Sequence, residues 1–432
     1  MTPALRHWLH RRQHPERYAR LASLLQNQTL SQAVLLENQR RDFADMVRFS
    51  AAHTDFYAGH LSDLSAWDGR PGSLPLLTKE AVRTHLDGML SRDADHTQAK
   101  VGHTGGSTGQ PLAFWYDEAK HELMRAGMMR GFMMSGWQPG QKVLYLWGAR
   151  QDVGKSGVFG QGLADAVAGE RTIAAVEYTE ASLHAWATQI QHWRPTLLYG
   201  YASALGELAR YVLDQNLPMP GSLLGVYSTA EVLDESQRPL MQQAFGCKVF
   251  NQYGCREVPN IAWECRHGHM HVMVDLVLLE SVPLDGEDRL LVTSLTNRLM
   301  PFIRYDLGDA GRLLDGACDC GSPFPLMEMG MCRQNDLIRT RNGKRVHPAW
   351  FNRQLYGLTQ IRQYQWVQSG LDRMTLNLVC PQRLDERTEA RLGESLRQEV
   401  DASMVLEVNY LDEIPRTASG KHRFVIGLPV PA

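Results

Sequence analysis

No stretch of this sequence is apolar for long enough to cross a bilayer, which takes about 20 residues, and neither sign of charge dominates. Its 45 Lys and Arg against 47 Asp and Glu leave a net charge of −2. Without a basic field, nucleic acid and membrane surfaces are both disfavoured as partners. The basic stretch MTPALRHWLHRRQHPERYARL has no continuous apolar core, so no secretory signal is read and a cytoplasmic location is expected. Cysteine is scarce and odd in number: Cys247, Cys255, Cys265, Cys318, Cys320, Cys332 and Cys380. That count argues against a disulfide framework and turns attention to metal binding. Internal repeats and low-complexity linkers are lacking too, so any hinge is short.

What is present is ordinary globular material, 44% hydrophobic and 21% charged over 432 residues, enough for two or three domains. Residues 1–60 carry apolar side chains at helical spacing. Asp68-Gly69-Arg70-Pro71-Gly72 breaks that pattern, and Thr78 can cap a helix from Lys79 to about Leu90. From Lys142 onward, apolar runs at 143–148, 172–178, 196–201, 223–229 and 248–254 alternate with helical patterns such as Leu183, Trp186, Ile190 and Trp193. This alternation predicts a mainly parallel sheet covered by helices, with ligands at the carboxyl ends of its strands. Past Val272 strands follow one another without helices, which predicts an antiparallel β subdomain. Beyond Arg333 a strand at 374–380, a charged helix at 384–404 and a strand at 405–411 suggest a compact end-domain. The expected class is therefore α/β. Residues 1–332 form a large N-terminal domain holding the helix-covered sheet and the antiparallel subdomain, and residues 333–432 form a small, mobile α+β domain.

The tract VGHTGGSTGQP carries Thr104, Gly105, Gly106, Ser107, Thr108 and Gly109 in one turn. Glycines let the backbone approach a ligand closely, and successive N–H groups with three hydroxyls make a concave set of donors suited to polyphosphate. It is neither a Walker P-loop nor the dinucleotide fingerprint, because the Gly-Lys-Ser/Thr and G-x-G-x-x-G spacings are missing. Downstream, Tyr253-Gly254-Cys255-Arg256-Glu257 ends a strand with an aromatic face, a tight turn, a guanidinium and a carboxylate. Glu257 suits Mg²⁺ on a nucleotide, since that ion takes one or two carboxylates with phosphate oxygens. Arg304-Tyr-Asp-Leu-Gly-Asp309 offers a carboxylate able to accept from both ribose hydroxyls. Near the C-terminus, Arg416-Thr-Ala-Ser-Gly-Lys421 presents a basic loop whose Lys suits the charge that develops on phosphate.

Metal ligands fall in two clusters. Cys265, His267, His269 and His271 form one, and Cys318-Asp-Cys320-Gly321 the other. Cys265, Cys318, Cys320 and one imidazole suit tetrahedral Zn²⁺, and four protein ligands make such a site structural. His271 is the favoured imidazole, with His267 and His269 as substitutes. Trp137, Trp147, Tyr199, Tyr201 and Tyr227 lie near strand ends, where core packing explains aromatics more often than ligand contact does.

Taken in order, these stretches resemble the phenylacetate–CoA ligase-like branch of the adenylate-forming enzymes, over nearly the whole chain from LPLLTKEAVR to RTASGKHRF. The resemblance implies ATP-dependent activation of a carboxylic acid, aryl or acyl, with loss of pyrophosphate, then transfer to a thiol such as CoA with loss of AMP. It makes residues 104–109 the phosphate loop and Ser228-Thr-Ala230-Glu231 the adenine-side turn. Tyr253 and Gly254 fall to adenine, Asp309 to ribose, Arg333 to the domain junction, and Lys421, Glu257 and Arg256 to catalysis. The Cys265/His271/Cys318/Cys320 set is similar to a zinc site that some members of the branch carry. The cofactors implied are ATP, Mg²⁺, structural Zn²⁺ and CoA. Two departures stand out. Arg256 replaces a Ser or Thr and can make a bidentate phosphate contact. The junction reads Cys332-Arg-Gln-Asn-Asp336 where Gly-Arg and a following acidic pair are commoner, and the hinge the resemblance implies falls at Asn335 and Asp336. Transfer to an amine or a carrier-protein thiol, or a non-catalytic zinc-stabilised binding role, are the other readings.

Overall fold

The computed structural model describes residues 1–61, 64–103, 112–147, 168–175, 179–235, 237–284, 287–333, 338–341, 345–346, 350–351, 354–355, 358, 360–415 and 423–428. The chain divides into two compact units. One comprises Met1–Leu307 with Arg312–Glu328, and the other Gly308–Gly311 with Met329–Ala432.

Helices α1 (Pro3–Gln13), α2 (Pro15–Asn27), α3 (Gln32–His53) and α4 (Asp55–His60) open the first unit, as the leucine spacing predicts. Ser31, Thr54 and Thr78 each cap a helix, their hydroxyls accepting from the N–H three residues on. The helix begun at Lys79 is shorter than expected. It is α5 (Lys79–Thr84), followed by a 3₁₀ turn at Asp87–Met89, because Asp87-Gly88 is turn chemistry that the apolar pattern alone does not register. A two-stranded ribbon, β1 (Lys100–His103) and β2 (Ala113–Tyr116), precedes α6 (Glu118–Met133).

Strands β3 (Val143–Trp147), β4 (Glu170–Ala174), β5 (Leu197–Tyr201), β6 (Gly225–Thr229) and β7 (Lys248–Tyr253) pair in parallel in the order β4-β3-β5-β6-β7. Helices α7 (Glu180–Trp193), α8 (Ala202–Asp214) and α9 (Arg238–Phe245) cross over between the later strands. The helix expected at 162–169 lies almost wholly outside the described residues. All five residues of β3, β5 and β6 are buried, as a strand covered on both faces requires. Antiparallel β8 (Ala262–Glu264) and β9 (Met270–Val272) continue the sheet from β7. They are followed in chain order by β10 (Val277–Leu284), β11 (Glu287–Ser294), β12 (Tyr305–Leu314) and β13 (Leu326–Arg333). Among the described residues the whole sheet has eleven strands. The three-residue strands β8 and β9 are too short to show a period in sequence.

In the second unit, β14 (Ile338–Arg339) and β15 (Arg345–Val346) make a small ribbon. Strands β16 (Gln363–Gly370), β17 (Arg373–Val379), β18 (Val405–Tyr410) and β19 (Val425–Ile426) make a sheet ordered β18-β17-β16-β19. Asp385 caps α10 (Glu386–Ser395), which covers Trp366, Met374, Leu376 and Leu378. The arrangement is a small α+β domain.

Candidate functional site

The parallel strands β5, β6 and β7 end at Tyr201, Thr229 and Tyr253, and the residues just past them hold most of the described candidates. Ala230 has φ +66°, the left-handed region that costs a residue bearing Cβ about 1 kcal/mol. That strain sits on the turn read from sequence as adenine-side. Next to it, Oε2 of Glu231 accepts from the N–H of Ser203 at 2.8 Å, in the first turn of α8. Tyr201, the N-cap of that helix, offers no side-chain cap, so Glu231 satisfies an orphan donor and meets the positive end of the helix.

Behind these turns lies a closed polar set. The hydroxyls of Tyr199 and Thr229 both donate to Oε1 of Gln252, at 3.1 and 2.5 Å, while its Nε2 donates to the Tyr253 carbonyl at 2.8 Å. Burial raises the Tyr199 phenol to about 12, so it remains a donor at neutral pH. Trp137, Trp147, Tyr199, Tyr201 and Tyr227 are all less than a tenth exposed. Trp147 stacks on Tyr199 with 5.9 Å between centroids, and the Tyr227 hydroxyl donates to the Gly131 carbonyl at 2.9 Å. These aromatics are core residues.

The Tyr253–Glu257 turn places Glu257 almost out of solvent, 4% exposed. Its Oε1 accepts from the hydroxyl of Tyr305 at 2.9 Å, and among the described residues its Oε2 takes no hydrogen bond. A buried carboxylate with one oxygen held and one free fits a hard cation that keeps its remaining positions for other oxygens. Burial pushes the Tyr305 phenol far above its ordinary range, and the neighbouring Glu257 carboxylate adds to the rise. Arg256 reaches back to the ribbon that precedes residue 104. Nη1 donates to the backbone carbonyl of His103 at the end of β1, immediately before residue 104.

Not every candidate can be placed. Thr104, Gly105, Gly106, Ser107, Thr108, Gly109 and Lys421 lie outside the described residues, as do Asn335 and Asp336. Arg333 is described only by its backbone, at the end of β13, and Asp309 lies half-buried on β12 in the second unit.

The cysteine cluster is brought together. One ligand atom each from Cys265, His271, Cys318 and Cys320 lie within 4.8 Å of one another. Cys265 Sγ is 3.7 Å from Cys318 Sγ, and Cys320 Sγ is 3.3 Å from Nε2 of His271. Nδ1–H of His271 is 3.0 Å from the Phe324 carbonyl and donates to it, which leaves the Nε2 lone pair facing the thiols. Burial lowers the His271 pKa and keeps that ring neutral. Burial lifts the Cys320 thiol to about 12. Cys318 is also raised by burial, yet hydrogen bonds from the Cys320 amide and from neighbouring side chains carry it below the ordinary thiol value. Three sulfurs and a neutral imidazole in this space form a soft tetrahedral donor set. His269, one of the substitutes, places Nδ1 3.2 Å from Cys318 Sγ.

Residues 338–427 match the family described as the CapK C-terminal domain. Protein CapK of Staphylococcus aureus is 24% identical over 405 residues, covering 91% of this chain and 89% of that protein. A phenylacetate–coenzyme A ligase of Thermus thermophilus is 26% identical over 396 residues, covering 82% of this chain and 86% of its own. The solved structure of 2-hydroxyisobutyryl-CoA ligase in its postadenylation state, bound to an acyl-AMP, superposes with a TM-score of 0.70. It is 17% identical and covers 93% of this chain and 91% of that one. The fold is that of the adenylate-forming ligases.

Sequence reasoning passed over Tyr305, which lies inside the Arg304–Asp309 stretch read for Asp309. It also passed over Lys120, buried on α6, whose Nζ donates to the Thr296 hydroxyl at 2.5 Å. Desolvation lowers that lysine to about 8. A lysine four residues after an aromatic strand end carries no pattern that announces burial. Among the described residues no helix is long and apolar enough to cross a membrane.

Proposed function

We propose that this protein activates a carboxylic acid with ATP and passes the acyl group to a thiol, CoA in the simplest case. The acid's carboxylate oxygen attacks the α-phosphorus, the bond to the bridging oxygen breaks, and pyrophosphate leaves while the acyl-adenylate stays bound. The acceptor thiol then attacks the acyl carbon, loses its proton and expels AMP. The observation that carries this reading is the turn after β7, where a buried Glu257 keeps one oxygen unengaged at the carboxyl end of a parallel sheet. The end-to-end similarity to enzymes named as CoA ligases supports it.

In this reading Glu257 binds Mg²⁺, which neutralises phosphate charge when bound. Tyr253 and Gly254 border the adenine with Ala230 and Glu231, and residues 104–109 cradle the β- and γ-phosphates. Arg256 steadies the chain leading into that loop through the His103 carbonyl. Asp309 accepts from the ribose hydroxyls, Arg333 acts at the junction between residues 1–332 and 333–432, and Lys421 stabilises charge in adenylation. Cys265, His271, Cys318 and Cys320 hold a structural Zn²⁺, supported by their donor chemistry and spacing. A reducing, cytoplasmic setting suits three thiolate ligands.

Carboxylate-dependent ATP–pyrophosphate exchange over aryl, fatty and amino acids tests the first step. Exchange with one class is expected, and silence across the panel without ATP binding would sink the reading. Lys421→Ala is expected to cut exchange by roughly 10²–10³-fold, and an unchanged rate would remove Lys421 from its role. An amine or a carrier-bound thiol is the other acceptor class. Offering CoA, amines and carrier thiols to a preformed adenylate separates them.

A further inference from the structure

Tyr305 has no part in the chemistry above, yet it is held from several sides beside Glu257. Its side chain is 0% exposed, and its ring lies 5.1 Å from that of Phe302. Both chain neighbours are fixed by buried ion pairs. Arg304 grips Glu280, with Nε 3.2 and 3.1 Å from the two carboxylate oxygens, and Arg289 grips Asp306 at 3.1 and 3.0 Å. Arg304 adopts φ +49°, and its N–H donates to the Thr293 hydroxyl at 2.9 Å.

A second segment closes on the same point. Leu77 forms a parallel bridge with Tyr305: the Leu77 N–H donates to the Arg304 carbonyl at 3.1 Å, and the Asp306 N–H donates to the Leu77 carbonyl at 2.9 Å. Two residues on, Lys79 Nζ donates to the Leu307 carbonyl at 2.7 Å, and Arg304 Nη1 reaches the Leu74 carbonyl. The stretch Leu74–Lys79 is therefore a strap across the start of β12. A phenol so constrained has almost no freedom in where it delivers its hydrogen bond.

We propose that Tyr305 is the positioning residue of Glu257, and that the Leu74–Lys79 strap exists to aim it. By donating to Oε1, the phenol fixes the carboxylate plane and leaves Oε2 as the oxygen offered to the divalent cation on the nucleotide. Partners of this kind orient ligands, and their loss typically weakens metal binding about 10–100-fold. Without the phenol, the buried Glu257 side chain loses the one hydrogen bond that fixes its rotamer among the described residues. The proposal rests on the reading of Glu257 as a metal-binding carboxylate.

Titration of Mn²⁺ into protein saturated with a non-hydrolysable ATP analogue, followed by calorimetry, tests it without turnover. Tyr305→Phe is expected to weaken Mn²⁺ about tenfold and to leave binding of the metal-free analogue unchanged. Glu257→Gln is expected to weaken Mn²⁺ at least as much, and the double variant no further, because two residues acting as one unit are not additive. Mn²⁺ affinity unchanged in Tyr305→Phe but lost in Glu257→Gln overturns the positioning role alone, whatever the melting temperature does. Fully additive losses overturn it too. Affinity unchanged in Glu257→Gln overturns both the metal reading and the inference built on it. Should Tyr305→Phe fail to fold, Glu257→Asp withdraws the carboxylate from a phenol that the strap still holds. Wild-type Mn²⁺ affinity in that variant would equally overturn the proposal.

Discussion

The cysteine cluster and the Glu257 turn differ in how much of a cation's surroundings the chain itself supplies. Cys265, His271, Cys318 and Cys320 bring four donor atoms within 4.8 Å of one another, with the imidazole already turned by the Phe324 carbonyl. Glu257 brings one carboxylate, and one of its oxygens is occupied by Tyr305. A complete donor set couples its cation to folding, whereas a partial set leaves positions that only a substrate can complete. On the proposed function, the same kind of interaction would serve stability in one place and chemistry in the other. Removing the first should be a folding event, and removing the second a chemical one.

The largest effect expected is on the cluster. Metal analysis should find one zinc per chain, and a strong chelator or Cys318→Ser should cost roughly 3 kcal/mol or more, a fall of about 4 °C or more in melting temperature. Metal-free protein with an undisturbed melting temperature and freely titrating thiols would break the comparison from that side. Next comes Glu257→Gln, expected to lower pyrophosphate exchange by about 10²-fold while moving the melting temperature by less than the chelator does. A variant that instead unfolds with its exchange rate per folded molecule intact would show that Glu257 is structural. The smallest effect concerns a third buried polar set, one that needs no cation. Arg17 pairs with Glu122 at 2.8 and 3.0 Å, and His10 contacts Arg17 and Tyr18 at 3.1 and 2.9 Å. Burial lowers His10 to about 4. The unfolded chain, with an imidazole near 6.5, therefore binds the extra proton first, and stability falls as pH drops from about 6.5 through 4. Glu122 adds to this at lower pH. Burial would raise it, but hydrogen bonds from His14 and Arg17 hold it at about 2, so its contribution is present above pH 4.5 and lost toward 2. Denaturant midpoints measured from pH 7 to 4 should decline and should flatten in His10→Gln; a level profile in the native protein would contradict the assignment.

Much of this architecture is legible in sequence because it rests on local periodicity. The runs at 143–148, 196–201, 223–229 and 248–254 become β3, β5, β6 and β7 with small changes of boundary. The grouping of Cys265, Cys318 and Cys320 with a histidine is legible because their spacing and ligand types suit one metal site. The choice of imidazole is not, since His267, His269 and His271 alternate by two and share one face of an extended chain. What singles out His271 is a carbonyl 53 residues away. Tyr305 escapes for the same reason: its partner is 48 residues distant, and a tyrosine in a strand is ordinary β material. The contact of Arg256 with the His103 carbonyl, 153 residues earlier in the chain, likewise has no signature in the sequence. Side chains that act on the backbone of another segment leave no spacing to find.

One small contact bears on how a triphosphate's charge is shared. The first turn of α8 starts directly after β5, and a helix N-terminus is ordinarily a ready receptor for an anion. Glu231 already fills that place from 2.8 Å away. The helix is thereby electrically spent before any nucleotide arrives, and a phosphate brought to it would meet a carboxylate instead of a partial positive charge. In the proposed reaction the four negative charges of ATP must then be balanced elsewhere, by the cation at Glu257, by basic side chains and by the amides of residues 104–109. On that reading the turn at Ala230 and Glu231 is left to recognise a neutral ring, a task that a helix end already paired with a carboxylate suits.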